Sequence, residues 1–246
     1  MNAIDLYFSE ISRILSDVLS TQRDAIERAA EAVAGASMRR SNIFSFGCSH
    51  AGLLSMELFY RTGGMATINP IRAPGMMLEI SPITMTSEME RMEGYGEMIL
   101  KNTPAKKGDV LLIHSVSGRN AVTIEMARAA QALGMTVIAL TNMQTSTTVP
   151  SRHSSGKKMY DFADIVIDNC GCRGDSALQL EGLAEKTAPS STAVGAVIAN
   201  AVVARAIERM LEAGVEPPVF ISANIEGGDE HNRRIMEQYK DNIFYM

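Results

Sequence analysis

The chain has 246 residues, of which 46% are hydrophobic and 21% charged, and its formal net charge is −5. This size suits one large α/β domain with a substantial core, and a negative charge without a clustered basic face argues against nucleic acid as a partner. No apolar stretch is long enough to span a bilayer, so no membrane partner is expected, and the N-terminus does not resemble a signal peptide. The three cysteines lack disulfide spacing and indicate a reducing, cytoplasmic setting.

Hydrophobic spacing predicts five short buried strands with helices between and around them. The predicted strands are 42–47, 66–69, 109–114, 135–141 and 163–168. The predicted helices are 2–34, 48–64, 86–102, 120–133, 190–213 and 228–242. Continuous apolar runs separated by amphipathic helices are typical of βαβ units, so the strands are expected to pair in parallel through right-handed crossovers.

This order of elements predicts a doubly wound α/β fold with a mainly parallel five-stranded sheet flanked by helices. No repeat, low-complexity segment or clear linker divides the chain, so residues 1–246 are expected to form a single domain. Within it we expect an N-terminal helix in 1–35, an α/β core in 36–213, and a C-terminal arm and helix in 214–246.

Polar turns follow three of the predicted strands at their carboxyl ends, where open parallel sheets bind ligands. The first turn is 47–50 (GCSH), the second turn is 114–120 (HSVSGRN), and a third begins at Thr141. Unpaired N–H groups at a helix start, serine hydroxyls and a glycine that permits close approach suit the binding of phosphate. In the alternative interpretation these hydroxyls only cap the following helices, but three such turns at one edge favour phosphate.

We therefore predict a phosphate site centred on the second turn. The residues expected to contact the phosphate or the molecule that carries it are Gly47, Ser49, Ser115, Ser117, Gly118, Asn120 and Thr141. No G-x-G-x-x-G follows a strand and no P-loop is present, so we expect a small phosphorylated metabolite instead of a nucleotide, and no cofactor. No metal is expected either, because Cys170-Gly-Cys172 has no paired second cluster and is interpreted as two loop thiols.

The two turns resemble the signature turns of SIS domains, a sugar-isomerase fold with a flavodoxin-like sheet that binds phosphosugars. Gly47-x-Ser49 is similar to the first signature, with Ser45 where another glycine is usual. The pattern S-x-S-G-x-N is similar to the second, with Asn120 in place of threonine. Nearly the whole chain is similar to single-domain bacterial SIS proteins, through the stretches 57–64, 90–96, 115–122, 149–161, 167–171 and 222–232. The resemblance implies a phosphorylated sugar as the ligand.

An aldose–ketose isomerase that works through a cis-enediol needs a base for a carbon-bound proton, and a partly buried carboxylate suits this role. Glu57 is the first candidate, because SIS isomerases resemble this chain in placing a catalytic glutamate on the helix after the first turn. Alternatively, Glu57 pairs with Arg61 at i+4 on a solvated face. Glu90 and Glu93 are further candidates for the base. In the alternative interpretation they are two exposed residues on a helix surface.

Two histidines are candidates for proton transfer or for opening the sugar ring: His50 in the first turn and His231 near the C-terminus. Each can also be a loop histidine with a structural hydrogen bond. The resemblance implies that segment 224–232 of one subunit reaches a neighbour's pocket. The N-terminal helix and the long helix 190–213 offer faces beyond what one sheet needs. We therefore expect a homodimer or homotetramer with a shared active site. Ser191, at the start of the long helix, is either a substrate contact or a cap.

Two other functions are compatible with the same residues. One is a lyase or deaminase of an amino-sugar phosphate that uses the same base. The other is a non-catalytic sugar-phosphate sensor. The region before the first strand has no room for a three-helix DNA reader, so a sensor would act through a protein partner.

Overall fold

Five parallel strands form the central sheet of the computed structural model, which describes residues 1–246. The strands are β1 (Ile43–Gly47), β2 (Ile68–Pro70), β3 (Val110–His114), β4 (Thr136–Thr141) and β5 (Ile165–Asp168). Their order in the sheet is β2-β1-β3-β4-β5, which confirms the predicted doubly wound α/β fold. The direction of winding reverses between β1 and β3, so a crevice opens beyond the carboxyl ends of these two strands.

Helices cover both faces of the sheet. They are α1 (Ala3–Thr21), α2 (Arg23–Met38), α3 (Leu53–Leu58), α4 (Thr84–Met89), α5 (Tyr95–Lys101), α6 (Ala121–Leu133), α7 (Met143–Thr148), α8 (Ser191–Glu212) and α9 (Gly228–Gln238). Side chains from α1, α2, α3 and α8 pack on one face, and side chains from α5 and α6 pack on the other. None of the helices combines the length and the apolar content needed to cross a membrane.

Three of the predicted helices are wrong in their extent. The single helix expected over 2–34 is two helices, because the backbone at Gln22 leaves the helical region. The helix expected over 86–102 is divided between α4 and α5, because Gly94 takes a left-handed conformation with φ of +86°. The helix expected over 48–64 starts with a short 3-10 turn and ends at Leu58. Local hydrophobic spacing does not reveal such breaks.

The structure contains short elements that hydrophobic spacing does not predict. Two short strands, β6 (Ser176–Leu178) and β7 (Thr187–Pro189), form an antiparallel hairpin before α8. The third polar turn is largely the short helix α7, whose threonine hydroxyls donate to carbonyls of their own helix. The C-terminal helix α9 packs through Ile235 against Phe220 and Ala66, so this end of the chain is docked beside β2.

Candidate functional site

The first turn is shaped by Gly47 at the end of β1. A Cβ on this residue would lie 2.5 Å from the carbonyl oxygen of Ala51, so only glycine lets the chain turn this sharply into the 3-10 helix that follows. Ser49 then has a positive φ of +52°. Its hydroxyl donates to Oε1 of Glu90 at 2.7 Å, which links the first turn to a residue 41 positions later in the chain.

The second turn is held in place by its neighbours. Gly118, with φ of +54°, donates its N–H to Oγ of Ser115 at 3.1 Å. Thr141, at the end of β4, donates its hydroxyl to the carbonyl of Val116 at 3.1 Å, and Ser146 donates to the carbonyl of Ser117 at 2.8 Å. The structure therefore places Thr141 behind the turn as a support, while Ser115 and Ser117 lie within it.

The helix that follows the second turn, α6, begins without a side-chain cap. Asn120 is its N-cap residue, yet the asparagine side chain makes no capping hydrogen bond. The N–H groups of Ser117, Ala121 and Thr123 donate to no acceptor in the protein. Free N–H groups and the positive end of a helix dipole form a site for an anion. The serines of the second turn thus do not act as caps of α6.

Glu90 joins the two turns. Its Oε1 accepts from Ser49, and its Oε2 accepts from Nδ2 of Asn120 at 2.7 Å. The carbonyl of Glu90 also accepts from the N–H of Val122 in the first turn of α6, at 3.1 Å. A half-buried carboxylate is thereby held at the mouth of the crevice, between the residues that the two signatures supply.

A buried carboxylate in α6 supports the segment that carries Glu90. Glu125 is only 2% exposed, and it accepts from the N–H groups of Gly94 at 2.6 Å and Gly96 at 3.0 Å. Nε2 of the buried His153 lies 3.3 Å from the same carboxylate. Nδ1 of His153 accepts the N–H of Ser155 at 3.1 Å. These contacts fix the turn that connects Glu90 to α5.

Glu93 lies beside this arrangement, with Oε2 4.0 Å from Nε2 of His153, and anchors a loop. It accepts from the hydroxyl of Ser154 at 2.7 Å and from the Ser154 N–H at 2.6 Å. The hydroxyl and backbone hydrogen bonds of Ser154 hold the pKa of the Glu93 carboxyl below its usual range. The predicted candidate Glu93 therefore fastens the loop after α7, and none of its hydrogen bonds involves either turn.

Glu57 belongs to α3 and faces α8. It forms an ion pair with Arg61, as the alternative interpretation of the sequence has it, and accepts from Nδ2 of Asn200 at 2.9 Å. None of its hydrogen bonds involves the first or second turn within one subunit.

The remaining candidates are dispersed. His50 is exposed beside Ser49 at the rim of the crevice. His231, in α9, donates from Nε2 to the carbonyl of Val219 at 2.9 Å. Ser191 begins α8, and both its N–H and its hydroxyl donate to the carboxylate of Asp175, at 2.7 and 2.6 Å. The carboxylate of Asp175 thus occupies the anion site at the start of α8, and both polar groups of Ser191 are engaged with it.

His114 opens the second turn but points into the interior. Its Nδ1 donates to the carbonyl of Ala51 at 3.2 Å, and its buried Nε2 has no partner. A cavity of about 30 Å3 is lined by His114 and by Ser45, whose hydroxyl also has no partner. Burial lowers the pKa of His114 to about 4, so this histidine is neutral in the folded protein at pH 7.

Because the unfolded chain binds a proton at a higher pH than folded His114, stability is expected to fall as the pH drops from 7 to 5. From the pKa of about 4, the contribution of His114 to this loss is about 2 kcal/mol. Urea denaturation of the wild type and of His114→Asn, at both pH values, measures it. Asparagine keeps a donor for Ala51 but does not titrate, so the variant is expected to lose about 2 kcal/mol less than the wild type. Equal losses would contradict the assignment.

Comparisons with known proteins bear on the family and the fold. A family model described as SIS domain matches residues 6–142. A UPF0309 protein of Shouchella clausii is 47% identical over 246 residues, which cover 100% of both chains.

Among solved structures, a phosphoheptose isomerase from Francisella tularensis is similar with a TM-score of 0.53 and 15% identity, over 85% of this chain and 100% of that one. The sugar isomerase domain of an RpiR transcription factor from Sphaerobacter thermophilus is similar with a TM-score of 0.52 and 15% identity, over 98% and 99% of the two chains. At such identity the likeness concerns the fold. One neighbour is an enzyme and the other a regulator, so fold alone does not choose between these functions.

Proposed function

Since this chain belongs to the SIS domain family, we propose that it binds a sugar phosphate in the crevice between β1 and β3 and isomerises it between its aldose and ketose forms. The phosphate lies against the second turn, where the N–H groups of Ser117 and Ala121 are free. The hydroxyls of Ser115 and Ser117 supply further neutral donors. Gly118, with its left-handed backbone, lies between these groups in the same turn.

The observation that carries the proposal is the position of Glu90. Its carboxylate accepts from Ser49 and Asn120, one from each signature turn, at 2.7 Å in both cases. A sugar whose phosphate lies on the second turn has its reacting carbons within reach of this group. A base at this place needs no movement of either turn.

In the proposed reaction Glu90 removes the proton from C2 of the aldose, which leaves a cis-enediolate, and returns a proton to C1. A second group carries the proton of the C2 hydroxyl to the oxygen on C1. His50, which is exposed at the rim beside Ser49, is the proposed carrier. Proton transfer by positioned groups of this kind contributes about 10²–10⁴-fold to a rate.

Glu57 is the competing candidate for the base. Within one subunit it contacts Arg61 and Asn200. To act as the base, Glu57 would therefore have to reach the crevice of a neighbouring subunit, or α3 would have to move. Proton exchange by Glu90→Gln and by Glu57→Gln separates the two assignments.

Proton exchange in D2O tests the proposed reaction. The protein is incubated with sugar phosphates from tetrose to heptose, including amino sugars, and the protons on C1 and C2 are followed by NMR. Exchange or interconversion of one member supports the isomerase. Elimination or release of ammonia would replace the isomerase by the lyase or deaminase. Saturable binding of a member without exchange of any would replace it by the sensor.

We also propose that the active unit is a homodimer or homotetramer with the crevice completed by segment 224–232 of a neighbour, where His231 lies. Exposed apolar side chains on α1, Ile4 and Phe8 among them, and Val197 on α8 offer surfaces for association. Light scattering at micromolar concentration is expected to give two or four times the subunit mass. A monomer would contradict both the assembly and the shared site.

A further inference from the structure

Two arginines at the second turn have no acidic partner. The Arg152 guanidinium donates from Nη1 to Oδ1 of Asn120 at 3.2 Å, and the Arg152 N–H donates to the carbonyl of Arg119 at 2.8 Å. Nε of Arg119 is buried without any acceptor. All the ion pairs of the protein, with nitrogen and oxygen within 4.0 Å, involve other arginines, lysines and histidines.

The positive charges at this place also act on one another. Partial desolvation, and then the charges of Arg119 and Arg91, lower the pKa of the Arg152 guanidinium, and the charge of Glu90 opposes this shift. Glu90 forms no ion pair with Arg152, and both of its oxygens accept from Ser49 and Asn120. Guanidinium groups without an ion pair of their own are suited to bind an anion.

The amide of Asn120 links Arg152 to Glu90. Asn120 donates to Glu90 through Nδ2 and accepts from Arg152 through Oδ1. The Arg152 guanidinium therefore lies beside the N-cap residue of α6, one amide group away from the proposed base. A group bound by Arg152 would be close to the reacting carbons of the sugar.

From this geometry we propose that the ligand is a sugar phosphate with a second anionic group, a carboxylate or a second phosphate, which binds between Arg119 and Arg152. The planar guanidinium fork binds both oxyanions in a bidentate manner. The inference rests on the proposed function, because it assumes that the first phosphate occupies the second turn.

Calorimetric binding of matched pairs tests the inference. The pairs are fructose 6-phosphate with fructose 1,6-bisphosphate, and glucose 6-phosphate with gluconate 6-phosphate, all at one ionic strength. The wild type is expected to bind at least one doubly anionic member about tenfold or more tightly than its singly phosphorylated partner. Arg152→Met and Arg119→Met are each expected to weaken the doubly anionic ligand by about 10–100-fold, and the singly phosphorylated one by at least tenfold less.

Arg128→Met is the matched control, because Arg128 lies on α6 and pairs with Glu97 at 3.6 Å. It is expected to leave both affinities unchanged. Equal weakening of both members by Arg152→Met would overturn the inference, since the arginines would then hold the only phosphate. A loss of turnover without loss of affinity would also overturn it, in favour of arginines that stabilise the enediolate. If the wild type binds no sugar phosphate at all, the proposed function fails; if it binds them without preference, only the second site fails.

Discussion

Replacing Glu90 with glutamine is expected to lower proton exchange on the substrate by about 10²–10⁴-fold, the contribution typical of a general base. Glutamine has the same shape, so its oxygen can still accept from Asn120, and the hydroxyl of Ser49 can turn to accept from the new amide group. The fold and the binding of sugar phosphate are therefore expected to persist. The measurement combines exchange in D2O with calorimetric binding of the same ligand.

Glu88→Gln is the matched control, because Glu88 is exposed on α4, two residues before Glu90, and its side chain makes no hydrogen bond. It is expected to exchange protons at the wild-type rate. Glu57→Gln tests the competing assignment. If Glu57→Gln abolishes exchange and Glu90→Gln does not, the base is Glu57, and Glu90 only joins the two turns.

Replacing Glu125 with alanine is expected to lower the free energy of unfolding by about 3–5 kcal/mol. The substitution leaves the N–H groups of Gly94 and of the buried Gly96 without their acceptor, and it removes the neighbour of the buried His153. Since these contacts hold the segment between Glu90 and α5, the variant is also expected to bind sugar phosphate more weakly. Urea denaturation measures the first effect and calorimetry the second.

Glu97→Ala serves as the control for this prediction. Glu97 is exposed in α5, and its pairing with Arg128 at 3.6 Å is of the surface kind that contributes little. Its expected effect is within about 0.5 kcal/mol. A loss below about 1 kcal/mol in Glu125→Ala would mean that water replaces the carboxylate and that the Glu90 segment does not depend on it.

The sequence contains a signal for the buried Glu125. The helix α6 reads AVTIEMARAA, and Glu125 lies between Ile124 and Met126 in a stretch whose members are almost all buried. A carboxylate at an apolar position of this kind implies a buried partner. Its partners, the N–H groups of Gly94 and Gly96, belong to the backbone, which carries no residue-specific signal in the sequence.

The sequence does not indicate which glutamate lies beside the two turns, for a related reason. Glu90 is 41 residues from Ser49 and 30 from Asn120 along the chain. Hydrophobic spacing describes which face of one element is buried, and it contains no information on which side chains of different elements meet. Glu57 matched the expected helix, but the packing of α3 on α8 turned it toward Asn200.

The amino-acid sequence by itself determined the five strands, the helices α6 and α8, and the two turns with their glycines and hydroxyls. These follow from local rules, since a buried strand needs a continuous apolar run and a sharp turn needs glycine. Only the tertiary structure decided that Asn120 leaves α6 uncapped, that Thr141 supports the turn, and that Glu90 lies between the two turns. Each of these depends on side chains brought together by the strand order β2-β1-β3-β4-β5, because hydrogen bonds between distant elements form only once the sheet has set their positions.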